Sequence, residues 1–444
     1  MYDVALINGK VYVDKQFIRA NVYIQDETIA ELSLETKKAR QVIDVNNQEI
    51  IPGIIDPHVH FALDLGRFKS VDTFKSGSKA AVYGGITTVI DFLSPTDTIK
   101  ALEKSFVERL NDAQSSVCDY GFHATIAQPK DDLNDYVDTF KSLGISTLKL
   151  FTTYSESNRN TEYLAIEQLL QATKTKQFLL LAHIEDDKQI NLNPLFTAKD
   201  LPKSRPTSSE VDAALTIAQL IEKTQGYLYM VHVSSGKTIT KLREHYAHLL
   251  NTHFFLESCP QYFNFSDNVL KHPNGYLYTC APPLRSKAES NALTKQFKFI
   301  DAIGTDHCAF NQKDKQQPLL KDIPLGIGSI EFSFPLMRHL FGEVVIDKMT
   351  KSVAALHGIK NKGQIKPGYD ADLFIYQPQP NSVFKKHHGQ ADYSLYLNQP
   401  MHGKVTSTMI RGKFVMRNGR FIGGQGKYIQ RRFDDERINQ RDTV

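Results

Sequence analysis

Cysteine is scarce in this chain: Cys118, Cys259, Cys280 and Cys308 are all there is, and no two form a C-x-x-C pair. So few thiols, without that spacing, fit a reduced, cytoplasmic setting in which they act as small core residues. An excess of either charge is lacking too. The 53 basic and 49 acidic side chains leave a net charge of +4, which gives no reason to expect nucleic acid or an anionic membrane as a partner. No basic start runs into an apolar stretch and no long uncharged span occurs, so neither a signal peptide nor a membrane helix is expected. Asn264-Phe265-Ser266 matches a glycosylation sequon but, without a secretion signal, is read as chance. Absent as well is the glycine-rich turn after an early strand that an open dinucleotide-binding sheet carries. What remains is an ordinary globular composition, 41% hydrophobic and 23% charged, with length enough for one large domain and a smaller one.

Residues 2 to 50 read as short strands. VALINGKVYV carries Asn8-Gly9 in its middle and NVYIQDETIAEL carries Gln25-Asp26-Glu27, so hairpin turns are expected at both. From residue 50 the pattern changes. Apolar strand-like runs at 50–61, 86–92, 121–127, 146–154, 178–186, 227–235, 253–262 and 299–310 alternate with helical stretches. Eight near-continuous apolar strands separated by helices predict a parallel sheet covered on its faces, closed as a (β/α)8 TIM-like barrel. The stretch 329–359 reads as helical and amphipathic, wrapping that barrel. After Lys362 the β pattern returns, with tight turns at Arg411-Gly412 and Asn418-Gly419. The fold class is therefore α/β: a barrel over 51–360 and a small β-sandwich built from both termini, 1–50 and 361–444. The last residues, DDERINQRDTV, have little to bury and are expected to stay mobile or dock on a neighbour.

The run IIPGIIDPHVHF (50–61) ends in Asp56-Pro57-His58-Val59-His60. Residues two apart on a strand point the same way, so His58 and His60 aim together at its C-terminal end. In such a barrel the chemistry comes from those ends. There the other runs place Lys149, His183, His232 and Asp306 beside His307. Each alone has an ordinary explanation: a hydrogen-bonded histidine, a cross-strand ion pair for Lys149, a helix cap for Asp306. Recurrence at corresponding positions points instead to a metal centre.

With these residues in order, the chain resembles the amidohydrolase superfamily, and within it the cyclic amidases: hydantoinases and dihydropyrimidinases. The resemblance rests on Asp56-Pro57-His58-Val59-His60, Lys149-Leu150-Phe151 with Tyr154, Ala182-His183-Ile184-Glu185, Val231-His232-Val233-Ser234-Ser235 and Thr305-Asp306-His307-Cys308. Ser258-Cys259-Pro260-Gln261-Tyr262, Ala281-Pro282-Pro283-Leu284-Arg285 and Gly368-Tyr369-Asp370-Ala371-Asp372-Leu373 flank them. It implies two divalent metal ions per chain. His58, His60 and Asp306 would hold one, and His183 and His232 the other. Lys149, carboxylated on its amine, would bridge them. Nitrogen and oxygen donors with hydrolytic chemistry favour zinc, with manganese, cobalt or iron chemically accessible. Asp306 would shuttle a proton to the leaving nitrogen and Tyr154 would donate to the developing oxyanion.

The family grips its substrate through backbone groups of a serine before a Pro-Pro pair and an asparagine in a glycine-rich loop. Here those positions hold Ala281 and Leu325, so backbone contact survives while the side chains differ. Dihydroorotases carry an arginine two residues after the second histidine, where this chain has Ala62. The implied reaction is ring opening of a hydantoin, dihydropyrimidine or related ureide. Allantoinase- or dihydroorotase-type activity is the neighbouring alternative, and a non-catalytic scaffold of the same fold, which would lack the ligands, is the more distant one. A homotetramer, or a homodimer, is the implied assembly.

Overall fold

In the computed structural model, which describes residues 1–435, eight parallel strands follow one another in chain order. They are β1 (Ile54–Val59), β2 (Ile86–Phe92), β3 (Asp119–Thr125), β4 (Thr147–Phe151), β5 (Leu179–His183), β6 (Leu228–Met230), β7 (Phe254–Ser258) and β8 (Ala302–Ile303). The ring closes past β8, where Val59 bridges His307 and the His60 amide donates to the His307 carbonyl at 2.9 Å. Helices stand between the strands, among them Phe74–Tyr83, Ile99–Ala113, Tyr163–Lys176 and Thr207–Thr224. Several start where the sequence supplies an oxygen for the unpaired first-turn amides, as Thr73 does in a reciprocal capping box with Ser76.

Strand alternation decides which side chains reach the barrel interior. Leu180 and Ala182 of β5 pack into the helix-facing core, whereas Leu179 and Leu181 join Ile55, Ile90, Tyr229 and Phe255 inside the barrel. His183 follows in the inward register. Leu148 and Leu150 of β4 likewise face the helices, which turns Lys149 inward. Each fully buried Leu or Ile contributes about 1.5–3 kcal/mol. A one-residue slip that exchanged the two faces is therefore disfavoured, and the inward direction of the polar residues follows.

The terminal segments meet as expected. Strands Tyr2–Val13, Gln16–Gln25, Thr28–Ser33, Ala39–Asp44 and Glu49–Pro52 join Leu373–Gln377, Lys404–Ile410, Lys413–Arg417 and Arg420–Phe421. They form one continuous nine-stranded sheet around its own apolar cluster, with Leu373–Gln377 antiparallel to Glu49–Pro52. Arg411-Gly412 and Asn418-Gly419 make the tight turns, all four with positive φ.

Two expectations are corrected and one is refined. Asn8-Gly9 is no hairpin turn: Tyr2–Val13 runs through it as one strand with a bulge, Asn8 taking φ 58°. The hairpin falls at Asp14-Lys15, both with positive φ, because the apolar positions on either side pair in that register. The stretch 329–359 is three helices, Ser333–Phe341, Val345–Met349 and Lys351–Leu356; Gly342 at φ 71° ends the first. The run 253–262 leaves the sheet at Ser258, because Pro260 opens a short helix. Of the C-terminal tail, residues 436–444 lie outside the described residues. Just before it, Arg431 is buried at the base of this chain's own barrel, donating to Ser146 Oγ (3.2 Å), Thr147 Oγ1 (3.0 Å) and the carbonyls of His357 (3.2 Å) and Phe122.

Candidate active site

At the C-terminal mouth of the barrel, β1 breaks register between Asp56 and Val59, across Pro57, which has no amide to donate. Asp56 there accepts from the Thr305 amide at 3.1 Å and from Thr305 Oγ1 at 2.6 Å, tying β1 to the turn after β8. Asp306 sits in that turn at φ 49°, a left-handed conformation uncommon for a residue with a side chain. Its Oδ1 lies 3.2 Å from His58 Nε2 and 3.2 Å from His60 Nε2. The next groups are close: the His58 and His232 ring centroids are 5.4 Å apart, and those of His183 and His232 4.6 Å. Lys149 Nζ lies 5.6 Å from the centroid of the Phe92 ring, which itself stacks on His60.

Two of the histidines are oriented from behind. His58 Nδ1 donates to Glu257 Oε1 at 2.7 Å, freeing Nε2 to face Asp306. Glu257 also accepts from the His232 amide at 3.1 Å and from the Tyr229 hydroxyl at 2.9 Å. His183 Nε2 donates to Glu185 Oε2 at 2.6 Å, and Arg205 grips the same carboxylate oxygen. Burial pushes the Glu185 carboxyl up, but Arg205 and His183 outweigh it and hold the group at about 2, so it stays an acceptor. Burial keeps His58 and His232 well below the usual imidazole range and His183 at about 4, leaving neutral rings with lone pairs.

Lys149 is buried and, among the described residues, has no hydrogen-bond or ion-pair partner. Burial pushes its amine down to about 7. Asp306 is pushed up by burial, yet the His58 and His60 rings bring it below the ordinary carboxylate range. Tyr154, at φ 76°, places its ring 5.1 Å from that of His183. The guanidinium carbons of Arg205 and Arg159 lie 4.6 and 4.7 Å from its ring centroid. Loops 279–285 and 323–328, carrying Ala281 and Leu325, are joined by the Gly326 amide donating to the Thr279 carbonyl at 3.0 Å. The second loop is tied to the Asp306 turn by the Cys308 amide donating to the Ile327 carbonyl at 3.1 Å.

The donor set suits a divalent cation. One nitrogen or oxygen from each of His58, His60 and Asp306 falls within 4.8 Å of the others. His232 Nδ1 is buried without a partner among the described residues, an arrangement a bound ion would relieve. Sequence reasoning named these candidate donors but missed the residues behind them. Glu185 had a signal, standing two residues after His183. Glu257 and Arg205 had none, since only the fold brings them to the histidines.

A closed parallel barrel with four histidines, an inward lysine and an aspartate at its mouth defines the class: the chain belongs to the amidohydrolase family, whose model matches residues 50–415. That membership implies a binuclear metal centre. More particularly, the chain is 31% identical to a D-hydantoinase of Geobacillus stearothermophilus, over 96% of this chain and 95% of that protein. It is 28% identical to a D-hydantoinase of Streptomyces coelicolor, over 95% and 97%. Among solved structures, the dihydropyrimidinase from Brevibacillus agri superposes with a TM-score of 0.90 at 27% identity, covering 98% of this chain and 99% of that one.

Proposed function

We propose that this protein is a metal-dependent cyclic amidase that opens the ring C–N bond of a hydantoin or dihydropyrimidine. The observation that carries this reading is the meeting of His58, His60 and Asp306 at one point of the barrel mouth, beside His183 and His232. His58, His60 and Asp306 would hold one divalent ion, His183 and His232 the second, and Lys149 would join them as a carbamate. An amine lowered to about 7 has the free base that carbamate formation needs. Such ions, zinc by donor preference, would polarise the amide carbonyl and make water acidic enough to attack at neutral pH.

The chain's own residues do the rest. Water adds across the amide: a C–O bond forms, the ring C–N bond breaks, and one proton moves to nitrogen. Asp306 takes the proton from water and delivers it to the ring nitrogen. Tyr154 donates its hydroxyl proton as a hydrogen bond to the oxyanion. Glu257 and Glu185 keep the histidine lone pairs facing the centre. Backbone groups at Ala281 and Leu325 would grip the ring. The product of a hydantoin would be an N-carbamoyl amino acid. A division of the chain into 1–50 with 361–444 and 51–360, a homotetrameric or homodimeric assembly and a cytoplasmic location belong to the same proposal. No helix among the described residues is long and apolar enough to cross a membrane.

The test is a ring-opening screen with zinc- or manganese-loaded protein against hydantoin, dihydrouracil, allantoin and dihydroorotate. Opening of hydantoin or dihydrouracil is expected. Activity confined to allantoin or dihydroorotate would move the substrate assignment, and no opening of any ring by fully metallated protein would reject the reading.

A further inference from the structure

Behind the two loops proposed to grip the ring lies a buried lysine that the reaction does not use. Lys315 is fully enclosed, and its Nζ donates to the Thr279 carbonyl at 2.8 Å and to the Gly326 carbonyl at 2.6 Å. Among the described residues no carboxylate pairs with it. Burial pushes its amine down to about 7, and enclosing an amine with only carbonyls and thiols around it is costly. A methionine would fill similar space without that penalty, so the amine and its two hydrogen bonds call for an explanation. Their geometry supplies one. Thr279 is two residues from Ala281, Gly326 is next to Leu325, and the two carbonyls that meet at Nζ come from chain segments far apart in sequence. Thr279 also accepts from the Gly326 amide at 3.0 Å. Without the lysine, that bond is the one hydrogen bond left between the two loops among the described residues.

We propose that Lys315 is a positioning residue that sets the gap between the two ring-gripping backbone edges, and through that gap the preference between five- and six-membered rings. This rests on the proposed function, in which the backbones at Ala281 and Leu325 hold the substrate. The second loop is anchored to the Asp306 turn through the Cys308 amide and the Ile327 carbonyl. Lys315 therefore gauges the position of the first loop relative to a frame that already carries the proton shuttle. Two hydrogen bonds from one nitrogen are directional, so the gap is held more tightly than packing alone would hold it.

The experiment compares hydantoin with dihydrouracil as substrates of the metal-loaded full chain, in Lys315→Met and in Gly326→Ala. The second substitution moves the same loop independently, because a Cβ at Gly326 would fall 2.5 Å from the Cys308 carbonyl oxygen. The expected result is a change of about threefold or more in the ratio of the two kcat/KM values, carried by KM, with the metal content of the unsubstituted protein. A merely structural lesion lowers both rates by one factor. A ratio that moves less than that, in whichever variant folds, overturns the proposal even if total activity falls. Should the unsubstituted protein open neither of these two rings, the substrate assignment fails first and this proposal falls with it.

Discussion

Two places in this molecule gather three metal-ligating side chains each, and they have opposite fates. One is His58, His60 and Asp306 at the barrel mouth; the other is Asp119, Asp370 and Asp372 where β3 meets the terminal sheet. At the second, Lys362 Nζ sits among all three carboxylates, at 2.9, 2.8 and 2.6 Å, and Arg411 pairs with Asp119 as well. The ammonium stands where a cation would. It joins barrel to sheet, and the cluster is complete without any ion. At the mouth, the amine of Lys149 has no hydrogen-bond or ion-pair partner among the described residues, and burial leaves the His58, His183 and His232 rings neutral, with lone pairs to offer. A cluster of donors is thus identified by what occupies its middle, not by its membership.

The comparison breaks most sharply at Asp306. Asp306→Asn should lower turnover by about 100- to 10,000-fold, the usual contribution of a positioned proton-transfer group, while metal analysis still finds ions bound; turnover within tenfold of the parent would remove Asp306 from its role. Lys149→Ala comes next: at least one ion per chain should be lost, measured on protein purified without chelator, and full metal content would contradict a bridging lysine. Glu257→Gln keeps the shape behind His58 but replaces one carboxyl oxygen by an amide NH2, which cannot accept from the His58 ring. It should weaken metal affinity by about 10- to 100-fold, read by competition with a chelator.

The smallest effect on chemistry belongs to the other cluster. Lys362→Met should leave activity per folded molecule unchanged while lowering stability by about 3–5 kcal/mol, seen as an earlier urea midpoint. Its pH dependence has a definite sign. Lys362 and Arg411 hold Asp119, against its burial, below the ordinary carboxylate range. The stability this provides is present above the unfolded value of about 3.9 and disappears as pH falls through the lower folded value. The gap between parent and variant should therefore be wide at neutral pH and narrow in acid. A gap that stayed constant from pH 7 to pH 3 would contradict the ion pairs.

Much of this was legible in one dimension because periodicity carries direction. Lys149 between Leu148 and Leu150 must face away from the helices, and His183 continues the inward set of Leu179 and Leu181. Local turn chemistry was less reliable. Asn8-Gly9 has a hairpin composition, yet pairing with Gln16–Gln25 keeps the strand going and turns it at Asp14-Lys15. The apolar pattern over 329–359 marked a helical stretch but not its two breaks, since periodicity persists through a break that a single glycine makes.

Taken alone, the amino-acid order determined the alternating barrel, the strand-built partner unit from both ends of the chain and the identity of six side chains aimed at one mouth. It could do so because those features depend on spacing along single segments. Only the tertiary structure decided which carboxylates stand behind the histidines, that Lys362 fills one acidic cluster, and that Lys315 joins the Thr279 and Gly326 carbonyls. Those contacts join residues 11 to 243 positions apart, or, like Glu185 beside His183, depend on which way two neighbouring side chains turn. Their energies exist only after folding has removed water from around the charges.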